Sequence, residues 1–157
     1  MEFASNIFDN VNSNSNSNSS EKIILKIKKG EWNDIYKGLC HVTNNSITME
    51  YIFFKYFATK DTYSVIQRLL TNSIETILLN NDNFIFHVNM KYLTISEFDK
   101  HKDFIQYISK LLKDNYPNKL YKCYVYNAPF MFSQVLSIIS LFVDKETMTK
   151  IEIINNK

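Results

Sequence analysis

Tyr116-Pro117-Asn118-Lys119-Leu120-Tyr121-Lys122-Cys123-Tyr124-Val125-Tyr126-Asn127-Ala128-Pro129-Phe130 is the stretch whose reading decides the fold. Pro117 lacks the amide hydrogen that a helix interior needs, so it closes whatever helix precedes it. Residues 121–126 alternate as a strand does, and Asn127-Ala128-Pro129 then turns the chain into a largely apolar helix over residues 130–143. On that helix Ser133, Ser137, Ser140 and Asp144 follow one another at spacings of four, three and four, so a single narrow stripe is polar. A helix apolar around most of its circumference must be buried on several sides or must face a hydrophobic ligand.

Working towards the N-terminus, residues 96–112 start at Ser96 and carry Phe104, Ile105, Ile108, Leu111 and Leu112 at helical spacing. Before them Phe84, Phe86, Val88 and Met90 alternate with Ile85, His87 and Asn89, which predicts a strand. From Asp61 or Thr62, Val65, Ile66, Leu69, Leu70, Ile74, Ile77 and Leu78 mark the clearest amphipathic helix of the chain. Residues 47–57 form a β-branched and aromatic run suited to a buried strand, of a length that a helix also fits. Residues 22–29 place Ile23, Leu25 and Ile27 on one face of a strand, and residues 32–45 read as turn-rich. With residues 121–126 and 151–154 as further strands, strand and helix alternate, which predicts an α/β domain with a mainly parallel sheet covered by helices.

The Asn/Ser repeat over residues 12–20 cannot bury enough apolar surface to offset chain ordering, so residues 1–20 are expected to be a disordered tail and residues 21–157 one domain. A chain of 157 residues, 45% hydrophobic and 22% charged, has enough apolar content for one real core. Its net charge of +2 gives no basic field that would imply nucleic acid, while allowing a transient contact with a membrane surface. The apolar run over residues 130–143 is shorter than the roughly 20 residues of a membrane span, and the N-terminus carries no basic segment leading into an apolar one. A cytoplasmic protein, peripheral at membranes at most, is the expectation.

Chemistry is sparse. Cys40 and Cys123 lie far apart without metal-ligand spacing and read as reduced thiols. His41, His87 and His101 have no spacing with Asp, Glu or Cys that suggests a metal site or a nucleophile and base, and His87, inside a strand pattern, reads as a hydrogen-bonded structural histidine. The two glycines, Gly30 and Gly38, form no phosphate loop. No catalytic residue, metal or cofactor is expected.

The ungapped run from Tyr116 to Ile151 resembles the C-terminal half of the CRAL-TRIO (Sec14-like) lipid-binding domain. That family's pattern is Tyr-Pro followed at a fixed distance by Asn-Ala-Pro-aromatic, a helix, and Asp-x-x-Thr-x-x-Lys-Ile. Here these are Tyr116-Pro117, Asn127-Ala128-Pro129-Phe130, and Asp144, Thr147, Lys150 and Ile151. The resemblance extends over residues 47–154, and the turn Asn89-Met-Lys-Tyr92-Leu-Thr94 keeps the family's hydroxyl residue but not its Asp or Gly. It implies a truncated domain that binds, and exchanges at membranes, a lipid or other small hydrophobic molecule, with a phosphoinositide among the candidates. The ligand would lie in a cavity under a mobile gate helix. Gate or cavity residues on this chain would be Phe130, Phe132, Leu136, Ile139 and Phe142, and headgroup contacts would fall to Thr147, Lys150 and Asn118. Asn118 stands where the family has an acid. Ser140-Leu141 replaces a Lys-Pro pair, and Phe84 and Phe86 occupy positions where choline-lipid members carry hydroxyls. The competing expectation is a degenerate domain without bound lipid, kept as a protein-interaction module with its own Phe and Tyr side chains filling the cavity.

Overall fold

The structure is a computed structural model describing residues 16–155, with side chains from residue 19. The elements run α1 (Asn16–Lys29), α2 (Trp32–Leu39), β1 (His41–Thr43), β2 (Ser46–Glu50), α3 (Tyr51–Phe57), α4 (Tyr63–Leu78), β3 (Phe84–Asn89), α5 (Ile95–Asn115), β4 (Leu120–Tyr126), α6 (Phe132–Ile139), α7 (Lys145–Thr149) and β5 (Ile151–Ile154). The five strands lie side by side in chain order. β1 pairs antiparallel with β2, and every later neighbour is parallel. The α/β class and the mainly parallel sheet follow the alternation read from the sequence.

Parallel strands added one after another in a single direction, through right-handed crossovers, send their connecting helices to the same face. The burial pattern agrees. Met49, Phe86, Val88, Cys123, Val125 and Ile151 belong to the main apolar core, shared with Phe98, Phe132 and Val135 from α5 and α6. A smaller cluster joins Ile47 and Phe84 to Ile74 and Ile77 of α4. The opposite face carries the row Thr48, His87, Tyr124 and Glu152 in register. There His87 shares a hydrogen bond of 2.8 Å with the Tyr126 hydroxyl, and its ring stacks with Tyr124 and Tyr126. It is the structural histidine that its strand position suggested.

The N-terminal third departs from expectation. Residues 22–29 are helical rather than a strand: Ile23 is buried and Ile27 half-buried, four apart on one face, while Leu25 points outward. Ile23 and Ile27, four apart, fit both periods, and packing against α2 and α3 selects the helix, which leaves Leu25 outside. Residues 1–15 of the expected tail lie outside the described residues, and residues 16–20 open α1. Residues 32–45, expected to be turn-rich, hold α2 and β1. Ile35 and Leu39 of α2 are buried four apart, and Gly38 obscures the pattern because a Cβ there would collide with the Phe53 ring. Residues 47–57 divide at Glu50 into a strand and a helix whose Tyr51, Ile52, Phe54 and Phe57 are buried.

α5 begins at Ile95, one residue before the expected Ser96, because Thr94 provides the cap. Its Oγ1 accepts the Glu97 N–H at 3.1 Å, the Thr-x-x-Glu signature of a helix start. The helix expected over residues 130–143 is shorter, ending at Ile139 in turns that lead to Asp144.

Candidate lipid site at helix α6

The corner between β4 and α6 is built from two asparagines. Asn127 adopts φ +53, a left-handed conformation that Asn tolerates better than most residues, and its Nδ2 donates to Asn89 Oδ1 at 3.0 Å. Asn89 Oδ1 also accepts the Lys91 N–H at 3.1 Å, so the corners after β3 and β4 are tied together. The Phe132 N–H donates to the Pro129 carbonyl at 2.9 Å and starts the helix.

The faces of α6 are unequal. Phe132 (4% exposed) and Val135 are buried in the main core, Leu136, Ile138 and Ile139 are half-buried, and Phe142 beyond the helix is half-buried too. Phe130 just before the helix is 94% exposed and Leu141 just after it 84%. The polar stripe satisfies itself, since Ser137 Oγ donates to the Ser133 carbonyl at 3.0 Å and Ser140 Oγ to the Ser137 carbonyl at 2.6 Å. Such back-bonding leaves those hydroxyls engaged with the backbone rather than aimed at a ligand.

On the core side of α6, Phe132 and Val135 pack into the main apolar cluster. Two concavities formed by described residues lie elsewhere. One, of about 20 Å³, is lined by Glu50, Tyr51, Asn89, Lys91 and Tyr92 among others. The second, of about 360 Å³, is a groove between α4 and α5 lined by Tyr63, Gln67, Asp103, Phe104 and Tyr107 among others. Sites for small organic ligands run to roughly 300–1,000 Å³, and a lipid chain on the core side of α6 would have to displace Phe132 and Val135.

The predicted headgroup residues fall at the end of the sheet where the parallel strands begin. Asp144 caps α7 by accepting the Thr147 N–H at 2.7 Å. That bond, assisted by Lys113 at 3.7 Å, holds its carboxyl below the ordinary value. The Lys150 N–H donates to the Thr147 carbonyl at 3.0 Å, and the Lys150 carbonyl accepts from Cys123 at 2.9 Å, so the turn bearing Thr147 and Lys150 is clamped to β4. Asn118 sits in the left-handed turn before β4, at φ +60. It stands at the same end of the sheet but on the order of 10 Å back along β4 from the Cys123 position. Thr147 and Lys150 thus share one turn, whereas Asn118 lies in a separate turn before β4. Lys113, missed in the sequence reading, contributes a cation there; its only signal was a position in the last turn of a long helix.

Other reactive groups are subdued. Burial pushes the Cys40 and Cys123 thiols up to about 12, which leaves them protonated and poorly nucleophilic. His101, 2% exposed, bonds Tyr63 Oη through Nδ1 at 2.5 Å and leaves Nε2 without a hydrogen bond, 4.0 Å from Glu97 Oε2.

Burial lowers the His101 and His87 pKa values. Below about pH 6.5 the unfolded chain then binds protons that the fold refuses, so these two histidines cost stability on acidification. Glu50, whose carboxyl burial pushes upward, acts in the opposite sense. Urea midpoints at about pH 7.5 and about pH 5.5 should therefore differ less in the His87→Phe/His101→Phe variant than in the parent.

Residues 34–157 match the CRAL/TRIO domain family. The chain is 33% identical over 66 residues to the SEC14 cytosolic factor of Yarrowia lipolytica, covering 42% of this chain and 13% of that protein. It is 32% identical over 69 residues to the Sec14 cytosolic factor of Schizosaccharomyces pombe, covering 44% and 24%. Its structure superimposes on the crystal structure of Sfh5 with a TM-score of 0.59 at 19% identity, covering 69% of this chain and 41% of that one. The chain thus spans well under half the length of each of these proteins. On the family match over residues 34–157, and on the fold just described, this chain belongs to the CRAL/TRIO domain family.

Proposed function

We propose that this domain binds a lipid or similar hydrophobic molecule behind α6 and exchanges it at a membrane surface. The observation that carries the reading is the pairing of two almost fully exposed apolar side chains, Phe130 and Leu141, with an apolar helix held in the core by Phe132 and Val135. Lifting α6 exposes Phe132, Val135 and parts of Leu136, Ile138 and Ile139, at roughly 1.5–3 kcal/mol for each fully buried one. In water nothing offsets that cost. At a bilayer Phe130, Leu141 and the displaced inner face enter an apolar phase, and an acyl chain passing from bilayer to cavity never meets water. Each methylene kept from water avoids about 0.8 kcal/mol, so opening is favoured where the ligand is available.

Thr147 and Lys150 would supply headgroup contacts, the Lys as a charge-assisted donor to a phosphate. Lys150→Ala should then weaken loading of phosphoinositide from vesicles more than loading of phosphatidylcholine, measured as lipid bound per protein after gel filtration. Equal losses would make Lys150 a surface charge.

The packing of Phe132 and Val135 into the main core favours a second reading, a lipid-free interaction module. Incubation with vesicles followed by separation and lipid extraction distinguishes the two. One lipid per chain supports the first, and a folded monomer that never loads supports the second.

A further inference from the structure

We propose that α1 and the start of α2 form a docking face for an anionic membrane surface, separate from the lipid site at α6. Ile23 and Ile27 fix the orientation of α1 by facing the core, and at 100° per residue Leu25 lies about 200° round from each. It is 50% exposed, with Ile24 at 38% beside it. Lys22, Lys28 and Lys29 are exposed on the same helix. α1 ends at Gly30, whose φ of +70 turns the chain so that Trp32 returns beside it, and Trp32 is 43% exposed. An edge-on contact with Phe57, at 6.1 Å between centroids, holds the Trp32 ring.

The electrostatics favour the same partner. Lys26 and Asp34 neutralise each other at 3.1 Å. Among the described residues no carboxylate bridges Lys22, Lys28 or Lys29, and Glu21 and Glu31 are the acids nearest them in the chain. Lysines at the end of a helix also complement its dipole, and single exposed apolar residues are ordinary. Neither fact accounts for exposed Leu, Ile and Trp side chains set among three unbridged cations. That combination is what an interfacial helix offers to acidic headgroups, with Trp at the depth where its ring is half wet. The contact would be weak, reversible and sensitive to salt.

Trp32 is the only tryptophan of the chain, so it reports on its own face. Adding phosphatidylcholine vesicles containing phosphatidylserine should shift its emission to the blue and protect it from acrylamide. Pure phosphatidylcholine should not, and high salt should reverse the effect. The Lys22→Glu/Lys28→Glu/Lys29→Glu variant should need at least about tenfold more vesicles for the same shift, with an unchanged circular dichroism spectrum. Leu25→Ser, at a half-exposed position outside the buried core, should reduce the shift without altering the fold. No shift on acidic vesicles, an equal shift on neutral ones, or a shift that follows protein concentration without vesicles, as self-association would give, overturns the proposal. The Phe130→Ser/Leu141→Ser variant separates this face from α6, since it should lose lipid loading while keeping the Trp32 shift. Loss of both together would overturn the independence of the face.

Discussion

Phe132→Ala should lower the unfolding free energy by about 3–5 kcal/mol, whereas Phe130→Ala, two residues away, should change it by no more than about 0.5 kcal/mol. The contrast follows from position alone. Phe132 is 4% exposed in the cluster that also holds Val88, Val125, Phe98 and Val135, so its removal leaves a cavity bounded by the sheet and α5. Phe130 is 94% exposed and loses almost nothing that folding uses. Urea denaturation monitored by circular dichroism reads both variants. Similar losses for the two would mean that α6 is rotated from the position described, or that Phe130 packs inward in solution.

The second large effect concerns transfer rather than stability. Phe130→Ser/Leu141→Ser should slow lipid transfer between vesicles by at least about tenfold. Each replaced side chain forgoes a good part of the roughly 1.5–3 kcal/mol of an apolar group leaving water. Because neither residue is packed, the fold should melt as the parent does. Transfer between donor vesicles carrying a fluorescent lipid and quenched acceptors measures the rate. An unchanged rate would remove α6 from the membrane contact.

These contrasts depend on details that the sequence showed unevenly. The segment from Tyr116 onward was legible because three local signals agreed: Pro117 ending a helix, alternation into Tyr126, and Asn127 turning the chain. Strands β3, β4 and β5 and helices α4 and α5 followed from periodicity in the same way. The region of residues 22–45 was not legible. Ile23 and Ile27 satisfy both periods, and only contact with α2 and α3 decides between them. Gly38 looks like a breaker until the Phe53 ring beside it is seen.

At the candidate site, the sequence identified an apolar helix but could not assign its faces. Phe130 and Phe132 look alike in the motif, yet one lies in solvent and the other in the core. Thr147 and Lys150 were carried over from the family motif by resemblance, and they share one turn. Asn118 was grouped with them by the motif and lies in a separate turn, just before β4. Lys113 came from another helix, which local spacing cannot reveal.

Native mass spectrometry of the protein purified from cells, combined with solvent extraction of the same sample, tests the central claim most directly. A mass excess of one lipid per chain, with that lipid recovered in the extract, is the expected result. A well-folded chain of bare mass, which also remains bare after incubation with vesicles, would contradict it.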